Sequence, residues 1–380
     1  MLNQPMDSDR PAQLPLSWLN TSFLAIVHLI GIGGTIAYCV TRGLSWVAVA
    51  TFVIWTCLTI FSLSAGYHRL FSHRAYEAHP ALRVFLLAFG AAAFQNSAIT
   101  WSADHRRHHK RTDTAADPYD ARRGFWYSHV GWVLRQTPPA TELHPVPDLE
   151  NDPLVLWQHR LYPLLGNLFG FAAPALVGLA FGDAWGGFLL GGMARLVFVY
   201  HVTFSINSFA HMLGTQPYSD RNSARDSFVA AVLSMGEGYH NFHHTFPVDY
   251  RNGVAAHHFD PSKWMIRALA WCGLARNLKR TSDAVILRAR LRMQARRLEA
   301  STGCPTKRDR LHQLRLRFEE HLAQWQAALA QREAARAEKK RELVARLRPE
   351  LRRLQGHVRS AQRDWDDLVR SIELGTTATG

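Results

Sequence analysis

Cysteine is scarce in this chain: four in 380 residues, Cys39, Cys57, Cys272 and Cys304, scattered and without a CxxC pair. That excludes a disulfide framework. A Ser/His/Asp order, a Gly-rich phosphate loop and a nucleotide fingerprint are also missing. The one glycine cluster, Gly31 to Gly34, lies inside an apolar run and suits helix packing. Acidic residues are outnumbered 30 to 44 by Lys and Arg, for a net charge of +14. Residues 281–380 hold 22 basic against 13 acidic side chains, so most of that charge belongs to the tail. A basic tail beside a membrane domain faces anionic headgroups more often than nucleic acid, and nucleic acid is not an expected partner. The first twenty residues lack a basic n-region, so no cleaved signal peptide is expected and the first apolar segment should stay as an anchor.

What the chain does have is long apolar runs. Segments 16–40, 44–65, 161–181 and 185–212 are each long enough to cross a bilayer core as a helix, pairing into two hairpins. The connection 66–160 is rich in arginine, whereas the two hairpin turns offer only Arg42 and Asp183. By the positive-inside rule the long connection, both termini and everything after Met212 are expected in the cytoplasm. Residues 82–100 are apolar too, but a fifth span there would put the later histidine clusters across the membrane from the first. They are read as an interfacial or partly buried helix.

The expected architecture is all-α. A short N-terminal cytosolic segment (1–15) precedes a polytopic membrane domain with a cytosolic helical cap (16–275), followed by a basic helical tail (276–380). In the tail, Leu347, Leu351, Leu354, Val358, Ala361, Trp365, Leu368 and Ile372 form a heptad seam. Leu311, Leu314, Phe318, Leu322, Trp325 and Leu329 form a second stripe, and Pro305 and Pro349 punctuate the run. The seam suits a helical hairpin packing on itself or on the membrane domain, a coiled coil that makes a homodimer, or an arm that binds lipid or a partner.

Three histidine clusters carry the chemistry: His68 with His73, then His105, His108 and His109, then His240, His243 and His244. Helical positions three and four apart share a face, so each HxxHH aims its rings into one volume. Eight imidazoles exceed what one four-coordinate zinc can use, and imidazole suits Zn, Cu, Fe and Ni, so two metals are the economical interpretation. Asn207 and His211, four apart at the end of the last span, extend the set. Neutral imidazoles leave metal charge uncompensated, so carboxylates are expected to orient the rings, with Asp104, Asp113, Asp226 and Glu237 as candidates. His28 and His201 are read as packed or hydrogen-bonded side chains. His79, His129, His144, His159, His257 and His258 are read as loop or capping residues, and His312, His321 and His357 as solvated tail residues.

At these residues the sequence resembles the membrane fatty acid desaturases, in particular the stearoyl-CoA desaturase-like group with delta-9 specificity. The matching blocks are GYHRLFSHRAYEA (66–78), AFQN (93–96), DHRRHHKRTDTAADPYDARRGFWYSHVGW (104–132), NSFAH (207–211) and GEGYHNFHHTFPVDYRNG (236–253), within residues 15–275. The resemblance implies four spans, a cytosolic helical cap and two ferrous ions. One iron would take His68, His73, His105, His109 and His243. The other would take His108, His211, His240 and His244, with Asn207 reaching it through a water. The acyl chain would lie in a bent tunnel with Trp101 and Phe204 as aromatic walls, and Asn96 and Arg123 would lie near its headgroup. Two features depart from the family: the His257–His258 doublet, and a tail outside the resemblance that lacks the His-Pro-Gly-Gly haem motif.

The expected activity is O2-dependent insertion of a cis double bond at delta-9 into an acyl-CoA or acyl-lipid. Electrons would come from a separate donor of the ferredoxin, rubredoxin, cytochrome b5 or flavin reductase type. A hydroxylase or ketolase with the same ligands, and a non-catalytic metal-binding membrane scaffold, are the rival readings.

Overall fold

The computed structural model describes residues 14–136, 145–301 and 305–377. Most of the N-terminal segment 1–15, along with His144 and Cys304, lies outside the described residues. The chain falls into two compact units, residues 1–215 with 221–280, and residues 216–220 with 281–380.

Four helices of the first unit are long and apolar enough to cross a membrane: Trp18–Arg42, Trp46–Ser72, Pro153–Ala180 and Ala184–Met212. They are called the first to fourth spans, and the protein is an integral membrane protein. Gly43 and Gly182, both at positive φ (74° and 82°), let the chain reverse in the two hairpin turns. Tyr38 and Ser45 in the first hairpin both donate to the Asp183 carboxylate in the second, so the two turns lie at the same end of the bundle. Gly31 allows close approach of the first span to the fourth, because a Cβ there would come within 2.8 Å of Val197 Cγ2.

Two spans differ from expectation. The second continues seven residues past 65 through wide turns over Ser62–Ser72, with the His73 N–H donating to the His68 carbonyl, and this extension carries His68 out of the apolar run. The third begins at Pro153, eight residues early, with Asp152 as its N-cap. Residues 153–160 were expected in the connection 66–160, but the polar Gln158 and His159 there are both satisfied by neighbours. Gln158 donates to the Tyr67 hydroxyl, and His159 bonds Ser97.

The expected single helix over 82–100 is instead two, Pro80–Ala91 and Ala98–Arg111. Phe94 and Asn96 sit in the left-handed region (φ 50° and 71°), and Ser97 caps the second helix. The break therefore re-aims the chain toward the histidine end. Short helices Phe228–Leu233, His240–Thr245 and Pro261–Trp271, and a two-residue antiparallel pairing of Glu77–Ala78 with Ala275–Arg276, also belong to the unit. Tyr67, Leu86, Leu87, Val199 and Ile266 are among its core residues.

The second unit contains helices Asp283–Ser301, Pro305–Ala337 and Arg341–Thr377. One apolar core draws on all three: Leu291 and Leu298, then Leu311, Phe318 and Leu322, then Val358, Trp365, Leu368 and Ile372. Thus the heptad seam is filled within the unit itself. Of the two prolines expected to punctuate the run, Pro305 opens a helix, but Pro349 lies inside one.

Candidate metal centre

The histidines are delivered by several different elements. His68 rides the wide turns at the end of the second span and His73 follows at its C-cap. His105, His108 and His109 occupy the last turns of Ala98–Arg111. His211 ends the fourth span, and His240, His243 and His244 belong to the helix His240–Thr245.

The nine rings separate into two groups: His68, His73, His105, His109 and His243, and His108, His211, His240 and His244. Within each group one ligand atom per residue lies within 4.8 Å of every other. Asn207, one turn before His211, lines the same cavity as His68, His105, His108 and His240.

The ring nitrogens point at one another. His68 Nε2 is 2.9 Å from His243 Nε2, which is also 2.9 Å from His109 Nε2, and His73 and His105 meet at 2.7 Å. In the second group His244 Nε2 lies 3.2 Å from His108 Nε2 and 3.0 Å from His240 Nε2, while His211 Nε2 is buried without a hydrogen-bond partner among the described residues. Burial, then neighbouring imidazoles, hold His73, His105, His109, His240, His243 and His244 well below the ordinary histidine value. The rings are therefore neutral, the form that binds metal.

Carboxylates fix two tautomers. His68 Nδ1 lies 3.1 Å from Glu237, and His108 Nδ1 lies 2.8 Å from Asp117. A carboxylate only accepts, so the proton resides on Nδ1 and the Nε2 lone pair turns inward. Ring nitrogens of several imidazoles gathered this closely, in one group of five and one of four, make a donor set that fits two metal ions. Burial pushes the Glu237 carboxyl up, but Arg69, His68 and Ser64 outweigh it and leave it well below the usual range. Asp117 is likewise raised by burial and brought below its ordinary value by His108 and by backbone N–H donors.

Of the four carboxylates expected from sequence, Glu237 bonds a histidine of the groups directly. Asp113 acts at one remove, accepting from the Ser223 hydroxyl whose oxygen is 2.8 Å from His211 Nδ1. Asp104 instead faces Arg107 at 3.4 Å, and burial pushes its carboxyl up to about 6. Asp226 accepts from the Phe242 N–H and so anchors the first turn of His240–Thr245. Sequence reasoning missed Asp117, which reaches back from the loop after Ala98–Arg111; an Asp nine residues beyond His108 was the available signal.

Asn96, Trp101, Arg123 and Phe204 all line one cavity of about 670 Å³ that reaches both histidine groups. Trp101 stacks on His105 with centroids 4.9 Å apart, and Phe204 stacks on Tyr200. Phe23, Leu24, Ile60, Leu63 and Phe94 make much of the wall apolar, while Arg107, Asp120, Arg123 and Arg135 make another part charged. Arg123 lies over the Tyr127 ring at 3.5 Å.

The remaining histidines stand apart. His28 and His201 meet at 3.2 Å, and His201 bonds His129, which bonds Ser208. His129, read as a loop or capping residue, is in fact buried in this chain. His79 caps Pro80–Ala91, and His258 stacks on Tyr239.

The family model "Fatty acid desaturase" matches residues 44–273. A probable acyl-CoA desaturase of Schizosaccharomyces pombe is 44% identical over 270 residues, 70% of this chain and 56% of that protein. Acyl-CoA desaturase 1 of Saccharomyces cerevisiae is 45% identical over 239 residues, 62% of this chain and 47% of its own. Stearoyl-CoA desaturase 5 of Bos taurus is 36% identical over 279 residues, covering 71% and 81%. The chain spans about half the length of the two fungal relatives.

Proposed function

Because the chain belongs to the fatty acid desaturase family, we propose that it is an oxygen-dependent acyl desaturase that inserts a cis double bond, at delta-9, into a saturated acyl-CoA. The observation that carries the reading is the single cavity joining both histidine groups to an apolar, aromatic wall and a charged one.

One iron would be held by His68, His73, His105, His109 and His243. The other would be held by His108, His211, His240 and His244, with Asn207 beside it. Bound iron supplies the electron transfer and O2 chemistry that removing hydrogen from an unactivated methylene demands. Each turnover takes two hydrogens from the substrate and two electrons and two protons from outside, converting O2 to two waters.

The chain's own residues hold and orient. Glu237 and Asp117 keep protons on His68 Nδ1 and His108 Nδ1, so the Nε2 atoms stay available. Arg69, bonded to both Glu237 and Asp260, fixes Glu237 in turn. Trp101, packed on His105, and Phe204 exclude water along the cavity and confine an acyl chain beside the histidines. Arg123 and Asn96 are assigned to the headgroup end. The positive-inside distribution supports a cytoplasmic site and cytoplasmic termini, within reach of a soluble or membrane-bound electron donor.

The test is an assay of the purified full chain, loaded with ferrous iron and supplied with a reducing system. Stearoyl-CoA is compared with phospholipid-bound stearate, and double bonds are mapped in the product. A delta-9 monoene from stearoyl-CoA supports the reading; hydroxylated acyl product without alkene overturns it.

A further inference from the structure

Arg195 lies in the fourth span and is 0% exposed. Among the described residues its hydrogen-bond partners include no carboxylate. Nη1 donates to the Ala92 carbonyl at 2.7 Å, Nη2 to the Gly170 carbonyl at 2.8 Å, and Nε to the Gly191 carbonyl at 3.2 Å. A guanidinium is costly within a membrane domain and is retained there for a task.

The carbonyls it satisfies suggest that task. Ala92 caps the helix Pro80–Ala91, where the chain breaks, and a break at this depth leaves backbone acceptors that water cannot reach. Gly170 and Gly191 lie in the wide turns of the third and fourth spans, where carbonyls are displaced from regular pairing. The planar fork of arginine can serve all three at once, which a lysine ammonium cannot do in the same geometry.

The break itself faces the cavity. Phe94, Gln95 and Asn96 line it, and Phe94 and Asn96 hold left-handed backbone that persists only where the surroundings enforce it. Two more donors or acceptors from the fourth span grip the same segment: the Tyr200 hydroxyl donates to the Phe94 carbonyl at 3.1 Å, and Gln95 donates to Thr203 at 2.8 Å. One helix, the fourth span, thus carries the anchors Arg195, Tyr200 and Thr203 of the break and, farther along, Asn207 and His211. At 1.5 Å per residue, Arg195 and Asn207 are about 18 Å apart along the axis and Thr203 and Asn207 about 6 Å.

We propose that Arg195 is a positioning residue. With Tyr200 it fixes the depth of the 92–97 break relative to Asn207 and His211, and so selects which methylene pair of a bound acyl chain lies beside the histidines. The inference rests on the desaturase reading for its last clause only.

The test compares the full-length protein with R195K and Y200F, using hydrogen–deuterium exchange of peptides covering 92–97, bound iron, and double-bond mapping of the product from stearoyl-CoA. Both variants are expected to exchange faster over 92–97, on the order of tenfold for R195K and less for Y200F. Exchange over 105–109 and 240–244 should not change and iron should be retained. The single positional isomer should give way to a mixture with neighbouring isomers. Unchanged exchange over 92–97 and a single isomer in both variants would overturn the proposal. So would loss of iron in R195K with Y200F indistinguishable from wild type, which would make Arg195 a general support of the fold. If wild type makes no alkene while the variants still exchange faster over 92–97, the desaturase reading fails and the anchoring stands.

Discussion

The two units of this chain solve opposite problems. Beneath its histidines the membrane unit buries Arg69, Glu237, Asp260 and Asn252 in one polar network, whereas the helical unit of the tail buries Leu311, Phe318, Val358, Trp365 and Leu368. A buried ionic network contributes little net stability but is severe when one partner is lost; an apolar core stabilises in proportion to area and loses it gradually. Function should therefore be brittle in the first unit and insulated from damage in the second.

The largest effect should follow loss of a proposed ligand. H108A and H240A are expected to abolish the monoene and lower bound iron, read by gas chromatography of cellular lipids and metal analysis of purified protein. Retained desaturation in either would remove the contrast. Next, E237Q should deprive the buried Arg69 of one of its carboxylate partners, leaving Asp260, and loosen the hold on the His68 ring. A cost of roughly 3–5 kcal/mol is expected from breaking such a network, seen as a lower thermal midpoint together with iron loss. W365A should cost a comparable ~3–5 kcal/mol, but confined to the tail, with iron content and product unchanged. If W365A lost iron as E237Q does, the two units would not be independent in the way supposed.

Acidification sharpens the same comparison. Six histidines of the centre are held below the ordinary value of 6.5. Below about 6.5 the unfolded chain takes up protons that the folded centre refuses, so stability present above that pH is lost as pH falls toward the depressed values. Thermal midpoint and iron retention should fall together below pH 6.5, while helicity of the tail holds. The smallest effect is expected from deleting the tail. The cut belongs after Arg280, not near Ala275, because Ala275–Arg276 pairs with Glu77–Ala78 and the Lys279 carbonyl accepts from the Tyr250 N–H. That truncated chain should keep its iron and part of its activity.

Much of this was legible in the residues. Hydropathy located four spans, spacing picked out the nine histidines that fall into two groups and named Asn207, which lines the cavity beside them, and the heptad seam matched the core of the tail unit. The failures share a cause: local pattern cannot see a partner distant in sequence. Gln158 and His159 read as linker because the hydroxyls of Tyr67 and Ser97 that satisfy them are 91 and 62 residues away. Residues 82–100 read as one helix because their composition is mostly apolar, and the left-handed Phe94 and Asn96 that break it are held by Tyr200 and Tyr162. Asp104, one of the four carboxylates expected to orient the rings, is next to His105 on a helix, where adjacent residues diverge, whereas Asp117 arrives from a loop. Arg195 was visible as a lone cation in an apolar run, and its significance depended on carbonyls contributed by two other elements.

The most direct measurement is oxygen uptake by the purified, iron-loaded full chain with stearoyl-CoA and a reductant, followed by analysis of the acyl product. The expected result is one O2 consumed per cis monoene formed, with uptake abolished in H108A. Iron bound by the nine-histidine centre with no substrate-dependent oxygen uptake, or uptake yielding only hydroxylated acyl chains, would contradict it.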